Sequence, residues 1–199
     1  MTSDVDRALL LQLVRDAIAA HISGAPLPAA PVADVCARLG GAFVSLHCRG
    51  DLRGCIGHIE ADEPLGRVVS RCAMAACATD PRFPPVTASE LPQLDIELSL
   101  LGPLEPIRGP ADIAIGRHGL VVEIGWRRGL LLPQVATEWQ WDAETFLAST
   151  CRKAGLPNDA WQKGAKMWRF EAEVFGERAL HPGEHEEIST TEDTEGTEE

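Results

Sequence analysis

The chain contains no tyrosine, and its only aromatic residues are five Trp and five Phe among 199 residues. A platform that stacks nucleic-acid bases needs several rings in a row, and this composition offers few. No stretch approaches the roughly 18 consecutive apolar residues of a membrane helix. The opening Met1-Thr2-Ser3-Asp4 has no basic segment and passes directly into an amphipathic pattern, so no secretory leader is expected. The six cysteines include no Cys-x-x-Cys, and none stands in a closely spaced Cys/His pair of zinc-knuckle type. Several sit among small apolar residues, as in Arg71-Cys72-Ala73-Met74-Ala75-Ala76-Cys77, where a free thiol acts as a small hydrophobe. The pattern therefore predicts reduced thiols, a cytoplasmic setting, no metal centre and no cofactor. A phosphate loop is also missing, because no Lys-Ser/Thr follows Gly40-Gly41.

Positive charge is in deficit: 18 Lys and Arg stand against 30 Asp and Glu, for a net charge of −12. The deficit is local. Eight acidic residues and no basic one lie between Glu184 and Glu199, and without them the remaining 22 acidic and 18 basic residues leave a net of about −4. The Ser/Thr/Glu/Gly composition of that end lacks the apolar residues that offset chain entropy, so residues 181–199 are expected to be a disordered acidic tail. His181 and His185 sit at its start and carry no expected role. Neither nucleic acid nor membrane is expected as a partner. Oligomeric state is not legible.

The body, with 45% apolar residues, can bury a core. Val5, Leu9, Leu13, Ala17 and Ala20 recur at three- and four-residue spacings, which predicts a helix from Asp4 to about Ile22. Ala42–Cys48 and Leu52–Glu60 read as strands joined through Arg49-Gly50-Asp51. Pro64–Thr79 has one apolar helical face and ends in the rigid Asp80-Pro81-Arg82-Phe83-Pro84-Pro85. Leu94–Leu100 alternates as a strand with Asp95 and Glu97 on its wet side. Gly119–Ile124 and Gly129–Leu132 form a hairpin through Gly125-Trp126-Arg127-Arg128. Asp142 caps a helix that runs to about Ala154, and Met167–Phe175 is a last alternating strand. Helices and strands mix without a β-α-β rhythm, which predicts an α+β fold with largely antiparallel sheet.

Five segments, in order, carry a resemblance. They are Leu52-Arg53-Gly54-Cys55-Ile56-Gly57, Asp80-Pro81-Arg82-Phe83-Pro84-Pro85 and Leu91-Pro92-Gln93-Leu94-Asp95-Ile96-Glu97. Then come Arg127-Arg128-Gly129-Leu130-Leu131-Leu132-Pro133-Gln134-Val135 and Arg152-Lys153-Ala154-Gly155-Leu156-Pro157. Together they make the chain resemble the AMMECR1 family over roughly residues 7 to 176. The resemblance implies one domain over residues 1–180, built as two closely packed α+β lobes with the shared motif surface near their junction. In bacteria and archaea such proteins are associated with a Memo-like protein and a radical-SAM enzyme, which the resemblance implies as partners. It implies no reaction.

The candidate site is the hairpin. Period-two geometry places Arg53, Cys55 and Gly57 on one face, with Gly54, Ile56 and His58 on the other. A thiol beside a guanidinium is a candidate nucleophile, and His58 is the nearest base in sequence, although alternation turns it away. Gly54 and Gly57 suggest close approach of another backbone or a ligand. Arg82 reads either as an anion-binding guanidinium or as the partner of Asp80. Phe83 is expected to plug the core. Arg127 and Arg128 would add to an anion-binding patch if their turn faced Arg53 and Arg82, and Gln134 could supply an amide; His118 reads as a loop residue. Two functions stay open: a binding or adaptor protein whose hairpin and proline turn form a rigid recognition surface, and an enzyme using Cys55 on an anionic small molecule or protein substrate.

Overall fold

Ser3 caps the first helix, its side chain accepting from the Asp6 amide, and Gly24 ends it in the left-handed conformation at φ 72°. This helix, α1 (Asp4–Ser23), buries Leu10, Leu13, Val14, Ala17 and Ile18 along one stripe. A short α2 (Asp34–Ala37) follows. Next come strand β1 (Ala42–Cys48), strand β2 (Asp51–His58) and helix α3 (Leu65–Ala78). Strands β3 (Leu94–Leu101), β4 (Glu105–Pro106), β5 (His118–Ile124) and β6 (Arg127–Leu131) precede helices α4 (Pro133–Glu138) and α5 (Ala143–Lys153), and β7 (Lys166–Gly176) closes the fold. The structure, a computed structural model, describes residues 2–177; the expected acidic tail at 181–199 lies outside them.

Seven antiparallel strands form one sheet in the order β2-β1-β3-β7-β5-β6, with β4 paired to β7. The fold is thus α+β with an antiparallel sheet. The long β7 links its halves: residues from Ala172 to Gly176 pair with β3, and those from Lys166 to Glu171 pair with β5. In the first half, Ala42, Val44 and Leu46 of β1 and Leu94, Ile96, Leu98 and Leu100 of β3 pack with α1 and α3 in one apolar cluster. Each fully buried Leu or Val there contributes about 2 kcal/mol. In the second half, Leu120, Val122 and Met167 pack with Phe146, Leu147 and Cys151 of α5.

Strand alternation leaves the other face of β1 and β3 to Phe43, Ser45, His47, Asp95, Glu97 and Ser99. Beside this row, Phe170, Val121 and Leu130 form a small third cluster, with Phe43 and Leu101 packed against it. The face of the first half opposite α1 and α3 therefore runs into a packed apolar patch of the second half.

Three local expectations change. His118 is not a loop residue: it begins β5, is buried, and its Nδ1 accepts from the Ala114 amide. Phe83 does not plug the core; it is half-buried beneath the Arg82 guanidinium, 5.3 Å from its ring centre. Arg127 and Arg128 lie inside β6, because the register Ile124↔Arg127 leaves a two-residue turn, Gly125-Trp126.

Candidate functional site

The motif strand β2 is the outermost strand of the sheet. Between the pairs Leu46↔Gly54 and His47↔Leu52 the register shifts, so Arg53 is an extra residue with no partner in β1. Its side chain turns to the sheet edge. There Nε and Nη2 donate to the two carboxylate oxygens of Glu90, while Nη1 and Nη2 donate to the carbonyls of Pro84 and Pro85. That guanidinium, with the Thr87 amide and hydroxyl, holds the Glu90 carboxyl down to about 2.

An edge strand normally exposes unpaired backbone groups. At Cys55 both are taken. The Cys55 amide donates to Asp80 Oδ2 at 2.9 Å, and Arg82 Nη2 donates to the Cys55 carbonyl at 3.2 Å. Asp80 is buried and pairs with Arg82 at 2.7 Å, so the ion pair stands in for a neighbouring strand. The bond from Arg82 holds the Asp80 carboxyl well below the usual carboxylate range, helped by the amides of Cys55 and Arg82. Gly54 is where α3 crosses this strand: a Cβ there would lie 2.2 Å from the Ala76 carbonyl oxygen. Gly57 lies under the ring of Phe43, which a Cβ would strike at 2.3 Å.

The Cys55 side chain lies on the face opposite α3, half-buried, and its Sγ accepts from Ser45 Oγ at 3.3 Å. The bulge precedes Gly54, so alternation from Cys55 to His58 is regular. His58 points away from the thiol, and its Nε2 lies 2.7 Å from Asp62. His58, Asp62 and Glu63 bring one donor atom each within 4.8 Å of one another. Glu63 is engaged by Arg71 at 2.6 Å, so that cluster is already charge-paired.

The register places Cys55, Ser45 and Glu97 side by side across β2, β1 and β3. Glu97 is half-buried rather than wet. Burial raises its carboxyl pKa, Asp95 and Glu138 add to the rise, and His47 opposes it. Among the described residues no donor bonds its carboxylate. Two positions along, Ser99 is 1% exposed and its Oγ has no hydrogen-bond partner among the described residues. Alternation alone could place Ser45, Glu97 and Ser99 on one face; the burial of Glu97 and Ser99 could not be read, because their strand pairs with β7, which is distant in sequence.

The arginines do not join in one unpaired patch. Arg128 donates to Glu60, lies 3.6 Å from Glu123 and stacks over Trp168. Arg127 donates to the Gly155 carbonyl and stacks on Trp126, which is 87% exposed. Gln134 sits half-buried in the first turn of α4.

A family model, AMMECR1, matches residues 11–175. The chain belongs to the AMMECR1 family. A protein of Methanothermobacter thermautotrophicus is 47% identical over 177 residues, covering 84% of this chain and 92% of that protein. Another, from Methanosarcina barkeri, is 40% identical over 188 residues, covering 89% and 93%. The AMMECR1 fold seen here is also similar to the crystal structure of the uncharacterized protein PH0010 from Pyrococcus horikoshii. The TM-score is 0.79 at 41% identity, covering 84% of this chain and 89% of that one. Among the described residues no helix is long and apolar enough to cross a membrane.

Proposed function

We infer that this AMMECR1-family protein works by binding: it is a cytoplasmic adaptor that acts with a Memo-like protein and a radical-SAM enzyme. The observation that carries this reading is the engagement of the motif's polar groups. Asp80 and Arg82 clamp the backbone of Cys55, Arg53 is bonded to Glu90 and two proline carbonyls, and His58 faces Asp62 instead of the thiol. Such a motif holds a shape, and a held shape is what a recognition surface requires. The test is reconstitution of the three purified proteins, followed by calorimetry and sedimentation. The expected outcome is a complex with micromolar or tighter affinity, about −8 kcal/mol or better, formed equally well by Cys55→Ser. The reading fails if the wild type binds neither partner.

One observation favours a second reading, an enzyme with Cys55 acting on an anionic small molecule or protein: the half-buried thiol that accepts from Ser45. In the native protein Cys55 should then be alkylated well before the buried Cys36, Cys72, Cys77 and Cys151. Burial pushes the thiols of Cys72 and Cys77 up to about 11. If mass mapping finds Cys55 unlabelled while other thiols react, the nucleophile is excluded.

A further inference from the structure

Three side chains of metal-ligating type converge where β2 gives way to α3. His58 ends the strand, and Asp62 and Glu63 lie in the loop that leads to the helix. Their ligand atoms, one from each residue, all lie within 4.8 Å of one another. The ligand atoms of a tetrahedral zinc ion, each about 2.0–2.2 Å from the metal, stand about 3.4 Å apart. Side-chain adjustments of about 1 Å therefore bring all three to one ion. The backbone beneath them is fixed by a single segment, residues 38–41. The Gly40 amide donates to the Glu63 carbonyl at 3.3 Å, and the Leu65 amide donates to the Arg38 carbonyl at 2.8 Å. Leu39 and Pro64 form a bridge between those two bonds. The strand end packs on the same segment: a Cβ at Gly41 would lie 2.7 Å from the His58 carbonyl oxygen and 2.6 Å from that of Ile59. Ligands on a backbone held in this way are preorganised. Arg71 holds Glu63 by one oxygen only, its Nη1 donating to Oε1 at 2.6 Å. The second oxygen is left for an ion, and a donor behind a ligating carboxylate is how metal sites orient it.

We propose that His58, Asp62 and Glu63 bind a divalent transition-metal ion of the zinc class. The proposal goes beyond the binding reading and does not rest on it, since it needs neither Cys55 nor a partner protein. A neutral imidazole with two carboxylates matches the charge of a divalent cation. The imidazole nitrogen favours zinc over magnesium and calcium, which prefer oxygen ligands alone. The 2.7 Å contact between His58 Nε2 and Asp62 Oδ1 aims at each other the two atoms that a metal would bridge. Binding requires Nε2 to present its lone pair, with the ring hydrogen on Nδ1. Three protein ligands leave the fourth tetrahedral position for water, and the exposure of Asp62 gives water access to it. The cysteine spacings carry no signal of this site because no thiol takes part. His58 and the two carboxylates meet only through the course of the 59–63 loop, which depends on residues 38–41.

The experiment is titration of the untagged, isotopically labelled full chain, stripped with a chelator, with zinc chloride, followed by calorimetry and by its amide resonances. One zinc ion per chain is expected to bind with a Kd of about 10 μM or tighter and to shift residues 57–64 and 71. Magnesium chloride should bind at least about a hundredfold more weakly. His58→Gln should lower zinc affinity about a hundredfold, and Asp62→Asn or Glu63→Gln about tenfold. Cys55→Ser and the double variant His181→Gln/His185→Gln remove other zinc donors and should bind as the wild type. At a hundredfold excess over Kd, zinc should raise the melting temperature of the wild type by about 5 °C and leave that of His58→Gln unchanged. Melting without zinc confirms that each variant is folded. The proposal is overturned if His58→Gln binds zinc as the wild type or if magnesium binds equally well. It is also overturned if zinc leaves residues 57–64 unshifted, or if binding is lost with the tail histidines or with Cys55.

Discussion

The two sides of the β2–β1–β3 segment treat charge in opposite ways. At the β2 edge Arg53 meets Glu90 at 2.7 Å, Arg82 meets Asp80 at 2.7 Å, and even the backbone of Cys55 is bonded on both sides. On the face opposite α1 and α3, two strands away, Glu97 and Ser99 have no such partners among the described residues. At the edge every charged group of the motif is matched, whereas this face leaves a half-buried carboxylate and a buried hydroxyl without partners among the described residues. The motif residues most visible in sequence are therefore held at the edge by one another and by neighbouring loops.

The largest effect that would break this contrast is at Gly54. A methyl group there meets the Ala76 carbonyl oxygen at 2.2 Å, which is backbone and cannot rotate away. Gly54→Ala should force α3 from the edge strand and cost about 3 kcal/mol in denaturant unfolding. A variant as stable as the wild type would show that α3 and β2 are not in fixed contact.

Asp80→Asn comes next. It leaves the fork between Arg82 and the Cys55 amide without its counter-charge, at a cost of about 2 kcal/mol. The pH dependence follows from the depressed carboxyl. Wild-type stability from Asp80 is complete at neutral pH and declines as pH falls below about 4, the ordinary unfolded value. The gap between wild type and Asp80→Asn should therefore narrow on acidification. Glu90, held down to about 2, acts in the same direction.

The order of elements was legible because each has its own period or punctuation. Alternation from Leu94 to Leu100 gave away β3, and Asp80-Pro81-Arg82 made the ion pair a local possibility. What stayed hidden depends on partners remote in sequence. The extra residue at Arg53 exists only relative to β1, and the burial of Glu97 and Ser99 only relative to β7. Helix α4, six residues opened by Pro133, is too short to show a period. His118 looked like a loop residue because its burial comes from packing on β7, where it pairs with Glu171.

On the open face the signs reverse. The Glu97 carboxyl is raised by burial, so its ionised form is less stable in the folded chain, and the penalty is complete once pH exceeds the raised value. Glu97→Gln should thus stabilise the protein at neutral pH, with the difference vanishing below about pH 4, where both side chains are neutral. His47, Asp95 and Glu138 are the charged groups that shape this profile. Melting curves across pH test it directly. A destabilised Glu97→Gln would mean that the carboxylate has a donor, and the contrast between edge and face would collapse.

The smallest effect is the most discriminating. Removing a buried hydroxyl that is hydrogen-bonded typically costs about 1 kcal/mol, whereas removing an unpaired one relieves its desolvation. Ser99→Ala also deletes only one atom from a site flanked by Phe43 and Val174, so little packing is lost. The balance should fall within about 0.5 kcal/mol of the wild type in denaturant unfolding. If Ser99→Ala instead costs as much as Asp80→Asn, the hydroxyl is a structural member of the sheet, and the open face is as finished as the edge.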